Sequence, residues 1–293
     1  MKRSYLTNLL LLSLIMVLLW QLDRTKTPAT VTTIGGDLTT AMVQKITIHR
    51  DPQIPVEITR NHDGWQLEQP FAADASNSRI NMLLSILDSV PSQQFAIDKN
   101  LDLSEFGLAE PNVTIRFNDN EFAFGDTEKL SGQRYLRADK TVYLFNDSIS
   151  PLLQASASGF IENRLFANNG NFQSLSLPYR NQQMLENKIM AMQLQDGHWQ
   201  GADKRFSADE LTAIANAWQQ AYAMQVSPNI DAADDDFLPL QFEFKNGYTL
   251  QAYARLSSQR LSVHIPERQL QYQFPAGTAM NLFPARPVDS ETD

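Results

Sequence analysis

The chain has 293 residues, 43% of them apolar, with 33 acidic against 24 basic side chains, a formal net charge of −9 and no cysteine. The lack of cysteine excludes a disulfide framework, a thiolate metal site and a thiol nucleophile. The acidic balance argues against a nucleic-acid partner and against a body lying flat on anionic lipid, while the apolar content suffices for one large or two ordinary packed domains.

Lys2 and Arg3 precede an apolar run from Leu6 to Leu22 that carries no charge. As a helix, the roughly 18 residues from Tyr5 to Leu22 span about 27 Å, enough for a thin hydrocarbon core. The run ends on Trp20, Gln21 and Leu22 and is followed by Asp23 and Arg24, which offer no small-residue cleavage site. Residues 1–22 therefore read as an uncleaved signal anchor, a single transmembrane helix, rather than a cleaved leader. Flanking charges nearly balance, Lys2 and Arg3 against Arg24 and Lys26. The tiny N-terminal stub and Trp20 at the far interface place the rest of the chain outside, in the periplasm, with the anchor in a bacterial inner membrane. The part beyond residue 22 keeps all 33 acidic and 22 of the 24 basic residues.

Residues 23–41, rich in Thr with Pro28, Gly35 and Gly36, read as a linker that lifts the body off the membrane. Alternation then begins. Lys45 to His49, Val56 to Arg60 and Trp65 to Leu67 are strands, the last two joined at Asn61-His62-Asp63-Gly64. A helix follows from about Ser76 or Ser78, because Ile80, Leu83, Leu84 and Leu87 fall at i, i+3, i+4 and i+7 before Pro91. After a loop holding Phe106, Gly107, Leu108 and Pro111 come strands at Val113 to Phe117, Glu121 to Phe124, Tyr135 to Ala138 and Thr141 to Phe145. Ser150-Pro151 opens a short helix, proline being favoured at the first helical position.

The same plan then runs again. Phe172 to Leu177 and Lys188 to Leu194 are strands, and Asp196-Gly197-His198-Trp199 repeats the Asp63-Gly64-Trp65 turn. A second helix opens on the capping box Ser207 to Glu210 and buries Leu211, Ile214, Ala215, Trp218 and Tyr222. Leu240 to Phe244, Tyr248 to Ala254, Arg260 to His264 and Gln269 to Phe274 complete it. Trp65 and Trp199 lie 134 residues apart, which points to an internal duplication. The expected fold class is α+β: the transmembrane helix, then two similar modules, each a mainly antiparallel sheet packed on one main helix. Module 1 covers residues 42–168, module 2 covers 169–283, and 284–293 form a disordered acidic tail.

Several stretches of the first module resemble a known pattern: Gly64-Trp65-Gln66-Leu67-Glu68-Gln69-Pro70 with Asp74, Phe106-Gly107-Leu108-Ala109-Glu110-Pro111, Phe124-Gly125-Asp126 with Tyr135, and Val142-Tyr143-Leu144. Over roughly residues 45–166 the chain resembles a bacterial family catalogued as domain of unknown function 4340. The resemblance implies a membrane-anchored extracytoplasmic α+β protein, often encoded beside ABC-type export or gliding-motility components. It carries over no catalytic residue.

No reaction is written in the motifs. His49, His62, His198 and His264 never fall at metal-ligand spacing. There is no Gly-x-Ser-x-Gly and no Ser three residues before a Lys. Asp231, Asp234, Asp235 and Asp236 lack the alternating ligands and central glycine of a calcium loop, and Met190 and Met192 alternate in a strand as core residues do. Trp65 and Trp199 each follow an Asp-Gly turn; they are expected to pack strand on helix, or in the sharper reading to stack on a ligand. The expectation is thus a protein that is not an enzyme and needs no cofactor or metal. It is an accessory or scaffolding component of an envelope complex with a membrane-protein partner, plausibly an ABC-type transporter. The alternative is a periplasmic module that binds a lipid, glycan or peptide in a pocket between the two copies or between sheet and helix.

Overall fold

Alternation of apolar and polar residues produces strands wherever a sheet buries one face, and in this chain it does so almost throughout. The computed structural model describes Met16 and residues 32–62, 64–167, 169–182, 184–229 and 236–286. In the first half the strands are β1 (Lys45–His49), β2 (Val56–Asn61), β3 (Gly64–Gln69), β4 (Ala73–Asp74), β5 (Gln93–Ala96), β6 (Val113–Phe117), β7 (Asn120–Thr127), β8 (Arg134–Ala138) and β9 (Thr141–Phe145). Helix α1 (Asn77–Leu84) lies between β4 and β5, and helix α2 (Ser150–Gln154) follows β9. The second half holds β10 (Phe172–Asn181), β11 (Met184–Gln195), β12 (His198–Gly201), helix α3 (Ala208–Gln219), then β13 (Gln225–Pro228), β14 (Leu238–Phe244), β15 (Thr249–Leu256), β16 (Arg260–Ile265), β17 (Leu270–Pro275) and α4 (Ala279–Leu282).

The strands form two sheets, in the orders β4-β3-β2-β1-β6-β7-β8-β9-β5 and β12-β11-β10-β14-β15-β16-β17-β13. Set aside the two-residue β4 and the orders are the same, strand for strand. In both, the strand that follows the main helix crosses to the far edge and pairs antiparallel with the last strand, β5 on β9 and β13 on β17.

This corrects the expected fold class. The body is mostly antiparallel sheet, nine strands and eight, rather than a pair of helix-packed modules. Helix α1 is only 8 residues long, buries Ile80, Leu83 and Leu84, and ends at Ser85, so Leu87 falls in the turn beyond it. Apolar spacing overstated the helix because a buried turn that continues the same face reads identically. Strands β5 and β13 escaped notice because Gln93, Gln94, Gln225 and Pro228 are exposed and show no alternation. Among the described residues no helix is long and apolar enough to cross a membrane. The expected anchor lies outside them except for Met16, as do residues 23–31, Asp231 to Asp235 and residues 287–293. The end of the expected linker is not a free spacer. Ile34 is buried, its N–H donates to the Ser89 carbonyl at 2.9 Å, and Gly35 donates to Leu87 at 2.9 Å.

The family-like motifs of the first half have a common physical basis. The 3₁₀ turn Leu103–Phe106 ends on Gly107 with φ +66°, a left-handed position that glycine adopts without strain. A methyl at Gly107 would meet the Asp126 carboxylate at 2.6–2.8 Å, and one at Gly125 would meet the Phe106 carbonyl and Leu108. Phe106 packs edge-on against Tyr135 at 4.8 Å, and Leu108 is buried with Ala123 and Val142. The two glycines let this loop lie directly on one face of the first sheet.

One apolar core runs through both sheets. Its densest part is aromatic: Phe166 lies 5.0 Å from Phe172 and 4.8 Å from Phe242, while Trp218 lies 5.0 Å from Phe242 and donates its indole N–H to Leu282 at 2.6 Å. Continuity across the halves comes from a strap, residues 157–166. It starts as a 3₁₀ turn, Ala157–Phe160, and buries Phe160, Ile161, Leu165 and Phe166. On one side Ile161 bridges Ala75, Ser76 donates to Phe160 at 2.7 Å and Glu162 donates to Asp74 at 2.8 Å. On the other, Arg164 bridges Tyr222, Leu165 donates to Ala221 at 3.1 Å and Ala223 donates to Asn163 at 2.9 Å. The main chain is therefore bonded from the β4 edge of one sheet, through the strap, to the segment entering β13 of the other. Three guanidinium groups hold carbonyls along this connection: Arg50 those of Leu153 and Ala155, Arg79 those of Gly159 and Ile161, and Arg268 that of Leu165 at 2.8 Å.

Candidate functional site

Where the strap leaves the β4 edge it forms one wall of a cleft of about 470 Å³. The opposite wall is the β2–β3 hairpin. Asn61 ends β2 and donates to the Gln66 side chain at 3.0 Å. Gly64 opens β3 at φ +138°, and a methyl there would meet the Asn77 amide at 3.1 Å. A glycine in this turn thus makes room for the first residue of α1. Trp65, 6% exposed, has the Arg60 guanidinium 4.6 Å from its ring centroid, a cation–π contact on one face. Its main chain carbonyl accepts from Ala75 at 2.9 Å, which fixes β4 and hence Asp74 alongside.

The strap contributes Glu162 and Arg164. Glu162 accepts from the Arg164 main chain N–H at 2.9 Å, and the two side chains form an ion pair at 3.4 Å. Arg164 is 59% exposed, so the pair adds little to stability, but it orients the carboxylate. Beyond this wall stands Tyr272 of β17, buried, its hydroxyl 3.4 Å from Arg268. Burial raises the Tyr272 pKa most, the Arg268 charge opposes that, and the charges of Asp74 and Glu162 raise it again. The carboxylates of the cleft are therefore felt inside the second sheet.

The Trp65 indole N–H, the Asn77 amide and the Asp74 carboxylate make no hydrogen bond to another described residue; Asp74 and Asn77 are exposed, and none of the three is a buried group lacking a partner, so all three face solvent. The third described tryptophan in the core, Trp218, shows the ordinary condition for a buried indole, a bonded N–H.

Trp199, the counterpart of Trp65, is 8% exposed and pairs with Leu194 across β11 and β12. It walls a smaller cleft, about 250 Å³, with Asn216 and Gln219 of α3 and Lys245. The two tryptophans thus stand in separate places and are not brought together. The histidines do not converge either. His264 is buried in β16, its pKa lowered by burial, while His198 is exposed and its ring Nδ1 lies 3.0 Å from the Asp196 carbonyl. Met190 and Met192 are core residues. Among the described residues no three His, Asp or Glu side chains are grouped to hold a metal. Of the cleft, sequence patterning marked Trp65 and its turn; Asn77, Glu162 and Arg164 carry no signal beyond being polar.

Two like-ordered antiparallel sheets bonded through a shared strap, with a polar cleft beside it, define a tandem β-sheet protein. The chain belongs to the family described as Domain of unknown function (DUF4340), whose model matches residues 65–235. The match covers more than half of the chain, runs through every cleft residue from Trp65 to Arg164, and enters the second sheet, further than the first-half motifs implied. The comparisons with curated proteins and with solved structures find no match.

Proposed function

We propose that this protein is an extracytoplasmic accessory component of a bacterial envelope complex, held at the inner membrane by its N-terminal apolar segment, with an integral membrane protein of the ABC-transporter class as partner. The observation that carries the reading is the strap. It binds two sheets by main chain bonds on both of its sides, a construction suited to holding surfaces at fixed positions rather than to opening around a reaction. The uncharged run from Leu6 to Leu22 supports the membrane location. Chemical cross-linking in intact cells, followed by purification of the full chain in mild detergent, tests it. A fixed-stoichiometry assembly with an integral membrane protein is expected. A full chain that fractionates with soluble proteins, or that purifies from membranes only as itself after cross-linking, would overturn the reading.

A further inference from the structure

The cleft beneath the strap does not enter that proposal, and its chemistry is specific. Its volume, about 470 Å³, falls inside the range of small-molecule sites, which run from about 300 to 1,000 Å³. Its groups alternate in kind. The Trp65 N–H donates, the Asp74 carboxylate accepts, the Asn77 amide does both, and Arg164 offers the guanidinium N–H groups its ion pair leaves over.

The charge pattern selects among ligands. An anion would face Asp74 and Glu162. A multivalent cation would find Glu162 engaged by Arg164 and Arg164 itself in the wall. An apolar ligand would desolvate the carboxylate and the amide without replacing their hydrogen bonds, a loss of roughly 1–3 kcal/mol for each. What matches is a neutral molecule whose every polar group both donates and accepts, and hydroxyls do this. Trp65 serves here through its edge. Arg60 lies over its ring and the indole is 6% exposed, so the N–H is the part left to contribute. The N–H is not among the buried groups that lack a partner, so it is open to solvent at the cleft, where a ligand hydroxyl oxygen can take the place of water on it.

We infer that the cleft formed by Trp65, Asp74, Asn77, Glu162 and Arg164 binds a neutral, hydroxyl-rich saccharide. The inference rests on the cleft alone and stands whether or not a membrane partner is recovered.

Isothermal titration of the full chain in mild detergent with chitotriose, maltotriose and cellotriose, beside spermidine and trilysine as cationic controls, tests it. Saturable binding of at least one trisaccharide is expected, weakened about tenfold or more by Asp74→Ala and by Asn77→Ala, the loss of one hydrogen-bonding group apiece. Trp65→Phe keeps an aromatic six-membered ring but removes the N–H with the rest of the pyrrole ring, and in a variant shown to be folded should weaken binding by about the same factor. Met82→Ala, on the exposed face of α1, should leave it unchanged. Asp74 and Asn77 are exposed, so their variants should stay folded, and circular dichroism with thermal melting should show that the buried Trp65 variant does too. No trisaccharide binding by the folded wild type at millimolar concentration would overturn the inference. So would saccharide binding indifferent to Asp74→Ala and Asn77→Ala, or binding of spermidine and trilysine alone.

Discussion

Phe160 tests whether the strap belongs to one core or merely lies between two. Its side chain is 0% exposed, its carbonyl accepts from Ser76, and its 3₁₀ turn packs against both β3 and β13. Phe160→Ala removes a fully buried ring whose surroundings are fixed by main chain bonds to Asp74, Ser76 and Ala75, so they have little freedom to collapse into the space. The cost should lie at the ordinary level for such a change, about 3–5 kcal/mol, a large part of the roughly 5–15 kcal/mol that stabilises a typical domain. For a chain of this size that lowers the melting temperature by about 10 °C. Thermal unfolding of the full chain in detergent by circular dichroism measures it. Hydrogen exchange should show lost protection on both sides of the strap, at Ser76 and Glu162 and at Leu165 and Ala223. Tyr222→Ala, at a side chain 60% exposed, should change stability by no more than about 0.5 kcal/mol. A Phe160→Ala melting point within about 2 °C of wild type, or deprotection confined to one sheet, would sink the claim of a shared core.

Two further tests probe other parts of the body. Gly125→Ala places a methyl against the Phe106 carbonyl and 2.9 Å from the Leu108 side chain, which should cost about 1–3 kcal/mol in urea unfolding and speed proteolysis within residues 97–111; an unchanged midpoint and digest would contradict the close approach. Tyr179 donates its hydroxyl to Asp203 at 2.8 Å, and its pKa is pushed up to about 12 by burial first and then by the bond to Asp203 and its charge. A raised folded-state pKa stabilises the fold fully below the ordinary value of 10.0 and stops doing so as pH rises through about 12. The wild-type melting temperature should therefore fall more steeply than that of Tyr179→Phe across this alkaline window, and parallel curves would refute the assignment.

What the sequence disclosed is what short-range physics decides. Half-buried strands alternate, so β1, β2, β6 and β9 were legible to within a residue or so. The capping box of α3 was equally legible, because both of its bonds, Glu210 N–H to the Ser207 hydroxyl at 3.3 Å and Ser207 N–H to the Glu210 carboxylate at 2.8 Å, close within one turn. The strap was not. Its apolar residues Ile161, Leu165 and Phe166 keep neither period 2 nor period 3.6, and the groups that fix it come from far along the chain: Arg79 reaches Gly159 across 80 residues, Arg268 reaches Leu165 across 103. The cleft follows the same rule. Trp65 could be singled out by its turn, whereas Glu162 and Arg164 acquire meaning only when the strap carries them to Asp74.

The strap also revises where each repeat begins. Ser89 and Ala221 each stand four residues before the edge strand that follows the main helix, and each accepts a main chain hydrogen bond from a buried apolar residue upstream of its own repeat, Ile34 at 2.9 Å and Leu165 at 3.1 Å. Ile34 and Leu165 are thus counterparts, 3% and 0% exposed. In the second repeat the residues that lead into this position come from the first repeat and bond it. In the first repeat they lead back toward Leu6 to Leu22. The same main chain contact that joins one sheet to the next therefore joins the first sheet to the chain arriving from the N-terminal apolar run. The bonds from Ile34 to Ser89 and from Gly35 to Leu87 fix where this segment meets the body, on the turn between α1 and β5, in the place that Leu165 takes in the second repeat.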